Sequence, residues 1–342
     1  MKAVKLVAKR RLEVADVDKP AAGSANAVIK VINCGICGSD LHYWEAGAGM
    51  GGATDLIMGH EFGGILEDPG SRRDLKKGDR VTAVPANPCG ECGPCKNGLL
   101  NLCVNVVKRP HPGLNSPGAY AEYIAVRPDM VRKLADTITD LSASMIEPSA
   151  VALHAVACAS VKPGCRSLVV GAGSIGLLCA AWLRISGASY IAMTEVNEER
   201  RAIAQKLGDL DEVFDARDEK LNSKIKKATA GGVDVAIDAS AADAGINSAL
   251  LLLRPKGTLI LAGVSLAPQS IMTLIALAKE ITMKPIYAYL PDEFDAALDF
   301  IARGVLKPEK FVSRTVGLGE VQAAFEDLHS GKSKDVKIVV RL

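Results

Sequence analysis

The chain lacks an excess of either charge. Lysine plus arginine number 41 and aspartate plus glutamate 39, so the net charge is 41 − 39 = +2. That balance argues against a surface built to grip nucleic acid or an anionic membrane. Long hydrophobic runs are also missing: nothing reaches the roughly 18 apolar residues that span a bilayer. The longest candidate, Ile175 to Ile185, is interrupted by Arg184, and the opening MKAVKLVAKRRLEV is too charged for a signal-peptide core. A soluble, cytoplasmic protein is the expectation, with no nucleic acid and no membrane among its partners. Aromatics are scarce at 4%, while the 32 glycines suit many tight turns and close backbone contacts.

What is present is ample core material, 49% hydrophobic against 23% charged residues, which excludes long-range disorder. At about 150 residues per domain, 342 residues suggest two domains or three. Nine cysteines is an odd number, and their placement matters more than the count. Six lie between Cys34 and Cys103, four of them within fifteen residues. Such clustering in a long chain without a signal peptide reads as metal ligation, not as a disulfide scaffold.

Residues 1–150 read as β-rich and irregular, with short apolar stretches at Val28–Ile32, Arg80–Val84 and Tyr120–Val126 between Gly, Pro and Asn. The pattern changes near Val161-Lys162-Pro163-Gly164. Strands are predicted over 167–170, 190–194, 213–214, 233–239 and 258–264, and helices over 175–185, 198–207, 219–228 and 244–253. That alternation argues for a parallel, doubly wound sheet. After about Ile286 the rhythm changes again, with helices predicted over 295–301 and 320–328 and a last strand over 336–340.

Gly171-Ala-Gly173-Ser174-Ile175-Gly176 follows a predicted strand and opens a predicted helix. Glycines there permit the tight turn, the approach of backbone to a pyrophosphate and close helix–strand packing, while the helix N-terminus offers N–H donors. Glu195 ends the second strand, 19 residues past Gly176, where an acceptor for the ribose hydroxyls belongs. Arg200 and Arg201 follow on the next helix; Arg200 joins the cofactor candidates. Glu195 would repel a 2′-phosphate, so NAD is expected over NADP.

Cys89-Gly-Glu-Cys92-Gly-Pro-Cys95 with Cys103 supplies four thiols in one short lobe. This matches a closed tetrahedral zinc site, with Gly90, Gly93 and Pro94 bending the chain around one ion. A third constellation is scattered: Cys37 in a turn of CGICGSD, His60 and Glu61 in GHE, and Glu147 before Pro148. Taken singly, each has an ordinary structural reading, and sequence separation carries no geometry.

Together these segments resemble the zinc-dependent medium-chain alcohol dehydrogenase superfamily. The matching stretches are CGICGSDLHYW (34–44), GHEFGG (59–64), LKKGDRV (75–81), CGECGPCKNGLLNLC (89–103), GAYAEY (118–123), EPSAVALHAV (147–156) and GAGSIG (171–176). Glu147-Pro148 resembles the polyol, butanediol and threonine dehydrogenase branch; the ethanol-type branch carries cysteine there. The resemblance implies a GroES-like catalytic domain over 1–149 and 287–342, a Rossmann NAD-binding domain over 150–286, and an active site in the cleft between them. It implies two zinc ions per chain. A structural one would sit on the four clustered cysteines, and a catalytic one on Cys37, His60 and a glutamate, Glu61 or Glu147. Ser39 and His42 match the family's proton relay. The implied reaction is oxidation of a secondary alcohol, most readily a polyol, with a vicinal diol, threonine or a cyclitol as runner-up. The non-enzyme alternative is an NAD-binding sensor without turnover. A homotetramer is implied, with the apolar stretch 265–286 as a pairing surface. Two stretches, Met50–Met58 and Pro285–Tyr289, depart from the sorbitol-type pattern and imply a reshaped pocket. Tyr43 and Trp44 are expected to wall it.

Overall fold

The computed structural model describes residues 1–342. The chain divides into two units: Met1–Glu147 with Leu290–Leu342, and Pro148–Tyr289.

The first unit opens with β1 (Lys2–Ala8), β2 (Arg11–Asp16), β3 (Ala27–Gly35), α1 (Gly38–Ala46), β4 (Leu56–Ile57), β5 (Glu61–Asp68) and β6 (Arg80–Ala83). It continues through α2 (Gly93–Lys96), β7 (Tyr123–Val126), β8 (Val131–Lys133) and α3 (Asp140–Ala143). After the second unit it resumes with α10 (Pro291–Ala302), β15 (Arg314–Val316), α11 (Val321–His329) and β16 (Ile338–Arg341). Strand order in the larger sheet is β15-β16-β3-β5-β6-β8, with β7 also on β3; a smaller sheet runs β2-β1-β4. β3 is central because its sequence, AVIKVINCG, is apolar nearly throughout and buries both faces.

Two antiparallel registers position the site. Gly35 of β3 pairs with Glu61 of β5, and the same Gly35 pairs with Val339 of β16. The chain leaving β3 therefore passes beside the start of β5 and the start of β16. The core here joins Val31, Phe62, Tyr120, Phe325 and Ile338.

The second unit is a six-stranded sheet ordered β11-β10-β9-β12-β13-β14: β9 (Arg166–Val170), β10 (Tyr190–Glu195), β11 (Glu212–Asp215), β12 (Val233–Asp238), β13 (Leu253–Leu261), β14 (Thr282–Pro285). All pairs are parallel. This is the 3-2-1-4-5-6 Rossmann order, whose reversal point between β9 and β12 is where such sheets bind ligands. α4 (Ile146–Ala159) begins at the boundary, followed by α5 (Ser174–Ile185), α6 (Glu198–Leu207), α7 (Leu221–Ala228), α8 (Asp243–Leu252) and α9 (Thr273–Ala278). α6 shows why these residues make a helix. The Asn197 side chain caps it by accepting from the Arg200 N–H at 3.0 Å, acids Glu198 and Glu199 occupy its first turn, and Lys206 its last.

Three expectations need correction. The turn around Cys37 is the N-cap of α1, a helix that short motif reading did not foresee. β13 starts at Leu253 and runs through Arg254-Pro-Lys-Gly, which interrupts the pairing register with β12 but not the strand. Third, 282–285 form the strand β14 where no element is expected, since TMKP shows neither alternation nor a long apolar run.

Candidate active site

Cys37 follows β3, and His60 and Glu61 open β5, so the register between those strands brings them together. One ligand atom from each of Cys37, His60 and Glu61 lies within 4.8 Å of the others. His60 and Glu61 are buried, and Cys37 is half-buried. Glu147 is outside that trio: it lies in the first turn of α4, and its charge acts on a nearby lysine, Lys337.

His60 Nδ1 stands 3.5 Å from a carboxylate oxygen of Asp40, a residue with no exposed surface. The other Asp40 oxygen accepts from the Cys37 N–H at 3.0 Å and from the Tyr120 hydroxyl at 2.6 Å. Asp40 thus orients the imidazole from behind, as carboxylates behind metal-bound histidines do. Burial works against charge on His60, but Asp40 and Cys37 outweigh it and hold the imidazole well above its ordinary value. Asp40 and Tyr120 carried no motif signal. An acid three residues after a ligand cysteine is the one clue the sequence offered.

Zinc fits this donor set of a thiol, an imidazole and a carboxylate, three of the four ligands of a tetrahedral site. Beside them the buried Ser39 Oγ lacks a hydrogen-bond partner. Ser39 and His42 are three residues apart on α1, hence on one helix face.

Lys337 is the residue that sequence reading missed. It precedes β16, is 2% exposed, and its Nζ forms an ion pair with Glu61 Oε2 while donating to the Ile36 carbonyl at 2.9 Å. Burial lowers its proton affinity, and Glu61, Cys37 and Glu147 more than restore it.

Trp44 does not line a pocket. It is 3% exposed, packs edge-on against Phe325 at 6.0 Å and His329 at 5.4 Å, and its Nε1 donates to Gln322. Core packing claimed it because α11 covers that face of α1. His111 is likewise structural: its Nε2 accepts from the Asn87 N–H, and its Nδ1 meets the Arg109 carbonyl.

The second cluster is local. Single ligand atoms of Cys89, Cys92, Cys95 and Cys103 lie within 4.8 Å of one another. Backbone N–H groups already point at sulfur: Cys92 N–H donates to Cys89 Sγ and Cys89 N–H to Cys103 Sγ, both at 3.4 Å. Such donors, with Asn105, bring the Cys89 thiol down to about 6, whereas burial pushes Cys95 up to about 12. All nine cysteines are free of disulfides.

In the second unit, Gly171 sits at φ +99° just past β9. A Cβ at Gly176 would collide with the Gly171 carbonyl, so that glycine serves helix–strand packing. Gly173 is different: a Cβ there would meet nothing within 4 Å. The protein itself does not require glycine at 173, and the open space suits a close ligand such as a pyrophosphate. Ser174 and Ile175 begin α5 behind it. Glu195 Oε2 accepts from the Ala172 N–H, and Oε1 from the Asn197 N–H, both at 2.8 Å, so the carboxylate is fixed beside the glycine turn. Arg201 is committed elsewhere, to the Glu195 and Val196 carbonyls and to Asp215.

Fold and sites together define a zinc-dependent oxidoreductase with a nucleotide-binding unit. Residues 23–136 match the alcohol dehydrogenase GroES-like domain, and residues 174–303 match the zinc-binding dehydrogenase model. D-xylulose reductase A of Aspergillus niger is 32% identical over 314 residues, covering 90% of this chain and 87% of the relative. The 2R,3R-butanediol dehydrogenase of Bacillus subtilis superposes with a TM-score of 0.89 at 29% identity, covering 100% and 99% of the two chains. An oxidoreductase of unknown specificity from Escherichia coli reaches a TM-score of 0.91 at 27% identity, covering 99% and 98%. The chain belongs to the zinc-binding dehydrogenases of the medium-chain alcohol dehydrogenase superfamily, in its polyol branch.

Proposed function

We propose that the chain oxidises a secondary alcohol flanked by further hydroxyls, reversibly and with NAD, using Cys37, His60 and Glu61 to hold the catalytic zinc. The observation that carries this reading is the convergence of those three ligand atoms within 4.8 Å, backed by Asp40. Zinc bound there supplies Lewis acidity that lowers the pKa of a substrate hydroxyl toward neutrality. Ser39 Oγ and His42 would carry the hydroxyl proton toward solvent, and a bound nicotinamide would supply the acceptor for the hydride. Asp40 keeps the imidazole of His60 in place as charge develops. Glu147, beside Lys337, orders water or accepts a substrate hydroxyl.

Glu195 receives both ribose hydroxyls, and its charge disfavours a 2′-phosphate. Arg201 is spent on Asp215 and two carbonyls, which supports NAD over NADP. The four-cysteine lobe holds a structural zinc. A Cys-His-Glu site has one thiolate fewer than a Cys-His-Cys site, and a second acid stands near it. A ligand without hydroxyls leaves those polar groups unpaired, a penalty that reaches about 10⁴-fold in sites built to hydrogen-bond a substrate.

We place the enzyme in the cytoplasm. Nine free cysteines suit a reducing compartment, and no helix is long and apolar enough to cross a membrane. We also propose a homotetramer. Support comes from Leu266, Met272, Leu274, Leu277 and Tyr287, large apolar side chains left exposed in the sequence flanking the edge strand β14; a sedimentation mass near one chain's 35.9 kDa would refute it.

The decisive measurement is NADH formation with xylitol, sorbitol, 2,3-butanediol, myo-inositol, threonine and ethanol. A polyol or diol is expected to give the highest kcat/KM. Ethanol or another simple primary alcohol at the top would refute the reading.

A further inference from the structure

We propose that Asp238 is a positioning residue for the nicotinamide half of NAD: its carboxylate folds the 239–242 loop against the glycine turn and so holds the wall that this half of the cofactor meets. The proposal rests on the reading that the turn at 171–176 and Glu195 hold the cofactor.

Asp238 ends β12, the strand that lies beside β9 where the strand order reverses. Sheets of this order carry two mononucleotide-binding halves, one on either side of that point. β9, β10 and β11 form the first, with the glycine turn and Glu195, and β12 opens the second. A cofactor whose adenosine ribose meets Glu195 therefore brings its nicotinamide half to the end of β12. The loop there is seated on the glycine turn itself. The Ala239 N–H donates to the Val170 carbonyl at 2.9 Å, and a Cβ on Gly171 would come within 3.3 Å of the Ser240 nitrogen.

Asp238 is 1% exposed, and the bonds of its carboxylate go into this loop. One oxygen accepts from the Ser240 N–H at 3.1 Å and from the Ser240 hydroxyl at 2.6 Å; the other accepts from the Ala241 N–H at 3.1 Å. Burial pushes the carboxyl above its ordinary value, and those donors pull it back. The carboxylate thus needs the loop as much as the loop needs the carboxylate. Ala241 is held at φ +55°, a left-handed conformation that alanine adopts only where its surroundings impose it. Two further contacts help to impose it. Gln269 Nε2 donates to the Ala241 carbonyl at 2.8 Å, and a Cβ on Gly263 would collide with the Ala241 nitrogen at 2.5 Å. Backbone held this way is ordered before a ligand arrives, so binding does not bear the ordering cost. Without Asp238 that cost moves to binding, and it falls on the half of the cofactor that meets the loop.

The test is calorimetric titration of the full-length, zinc-loaded enzyme with NADH and with ADP, which carries the adenosine half alone. D238N keeps the shape of the side chain and removes its charge. It is expected to weaken NADH binding by about tenfold or more, the scale of hydrogen bonds to a charged group, and ADP binding by less than about twofold. Q269A removes a second tether of the loop without touching the buried carboxylate. It should weaken NADH by about threefold, the scale of one neutral hydrogen bond, and leave ADP unchanged. General damage to the nucleotide-binding unit would move both ligands together. Equal losses for NADH and ADP overturn the proposal, and so does D238N that binds NADH as tightly as the parent. If D238N does not fold, Q269A decides, and NADH binding equal to the parent's overturns the proposal. E195A, by contrast, should weaken both ligands. If it weakens neither, the cofactor reading itself fails, an outcome distinct from failure at Asp238.

Discussion

The four-cysteine lobe and the Cys37–His60–Glu61 cluster are built in opposite ways. The lobe takes all its ligands from fifteen consecutive residues, 89–103, and arranges them with short turns and backbone N–H groups aimed at sulfur. The other cluster draws on the end of β3, the start of β5, the N-terminal turn of α1 and the residue before β16. It is ringed by acids and one buried lysine. A site made of one segment folds with its metal and becomes part of the chain's stability. A site assembled from a sheet register exists without the metal, because the sheet holds the ligands. It can therefore leave a coordination position open. That difference separates a structural ion from a catalytic one.

The largest effect should come from attacking the assembled site. C37S is expected to lower kcat/KM by at least about a thousandfold, the few kcal/mol that Lewis-acid activation contributes, with the far-ultraviolet circular dichroism unchanged. Mild chelation should do the same and leave one zinc per chain. Full activity with a single zinc would break the comparison.

C103S attacks the other side. A structural zinc contributes on the order of 10 kcal/mol to folding, so losing one of its four thiolates should cost one equivalent of zinc and lower Tm. The Cys37 site should keep its metal in whatever protein remains folded. Metal analysis beside a thermal melt checks this, and an unchanged Tm would show that the lobe is not a folding element.

Glu195 extends the comparison to the nucleotide turn, which is also a local motif held by backbone N–H groups. E195A should reduce the NAD over NADP preference by roughly 10- to 100-fold, the value of one or two hydrogen bonds to a charged group. Steady-state kinetics with both cofactors measures it.

The smallest effect is expected from Trp44. W44F keeps an aromatic ring against Phe325 and His329 and loses the Nε1 bond to Gln322. Stability should fall by about 1 kcal/mol, with the order of preferred substrates unchanged. A changed substrate order would return Trp44 to the pocket wall.

The sequence by itself determined what is local. The βα alternation from Arg166 to Leu261, the glycine turn with Glu195 after it, and the four-cysteine lobe were all legible, because periodicity and short spacing act within a few residues of each other. It also supplied Cys37, His60 and Glu61 as candidates, through resemblance, without saying that they meet. The tertiary structure alone decided that meeting, through the pairing of Gly35 with Glu61 and with Val339. It brought in Asp40, Tyr120 and Lys337, placed Glu147 outside the trio, and gave Trp44 to the core. The physical reason is range. A hydrogen-bonded turn is specified by neighbours in the chain. The charge a buried group needs is specified by whatever residue the sheet register sets beside it, and Lys337 stands 276 positions from Glu61 in the sequence (337 − 61).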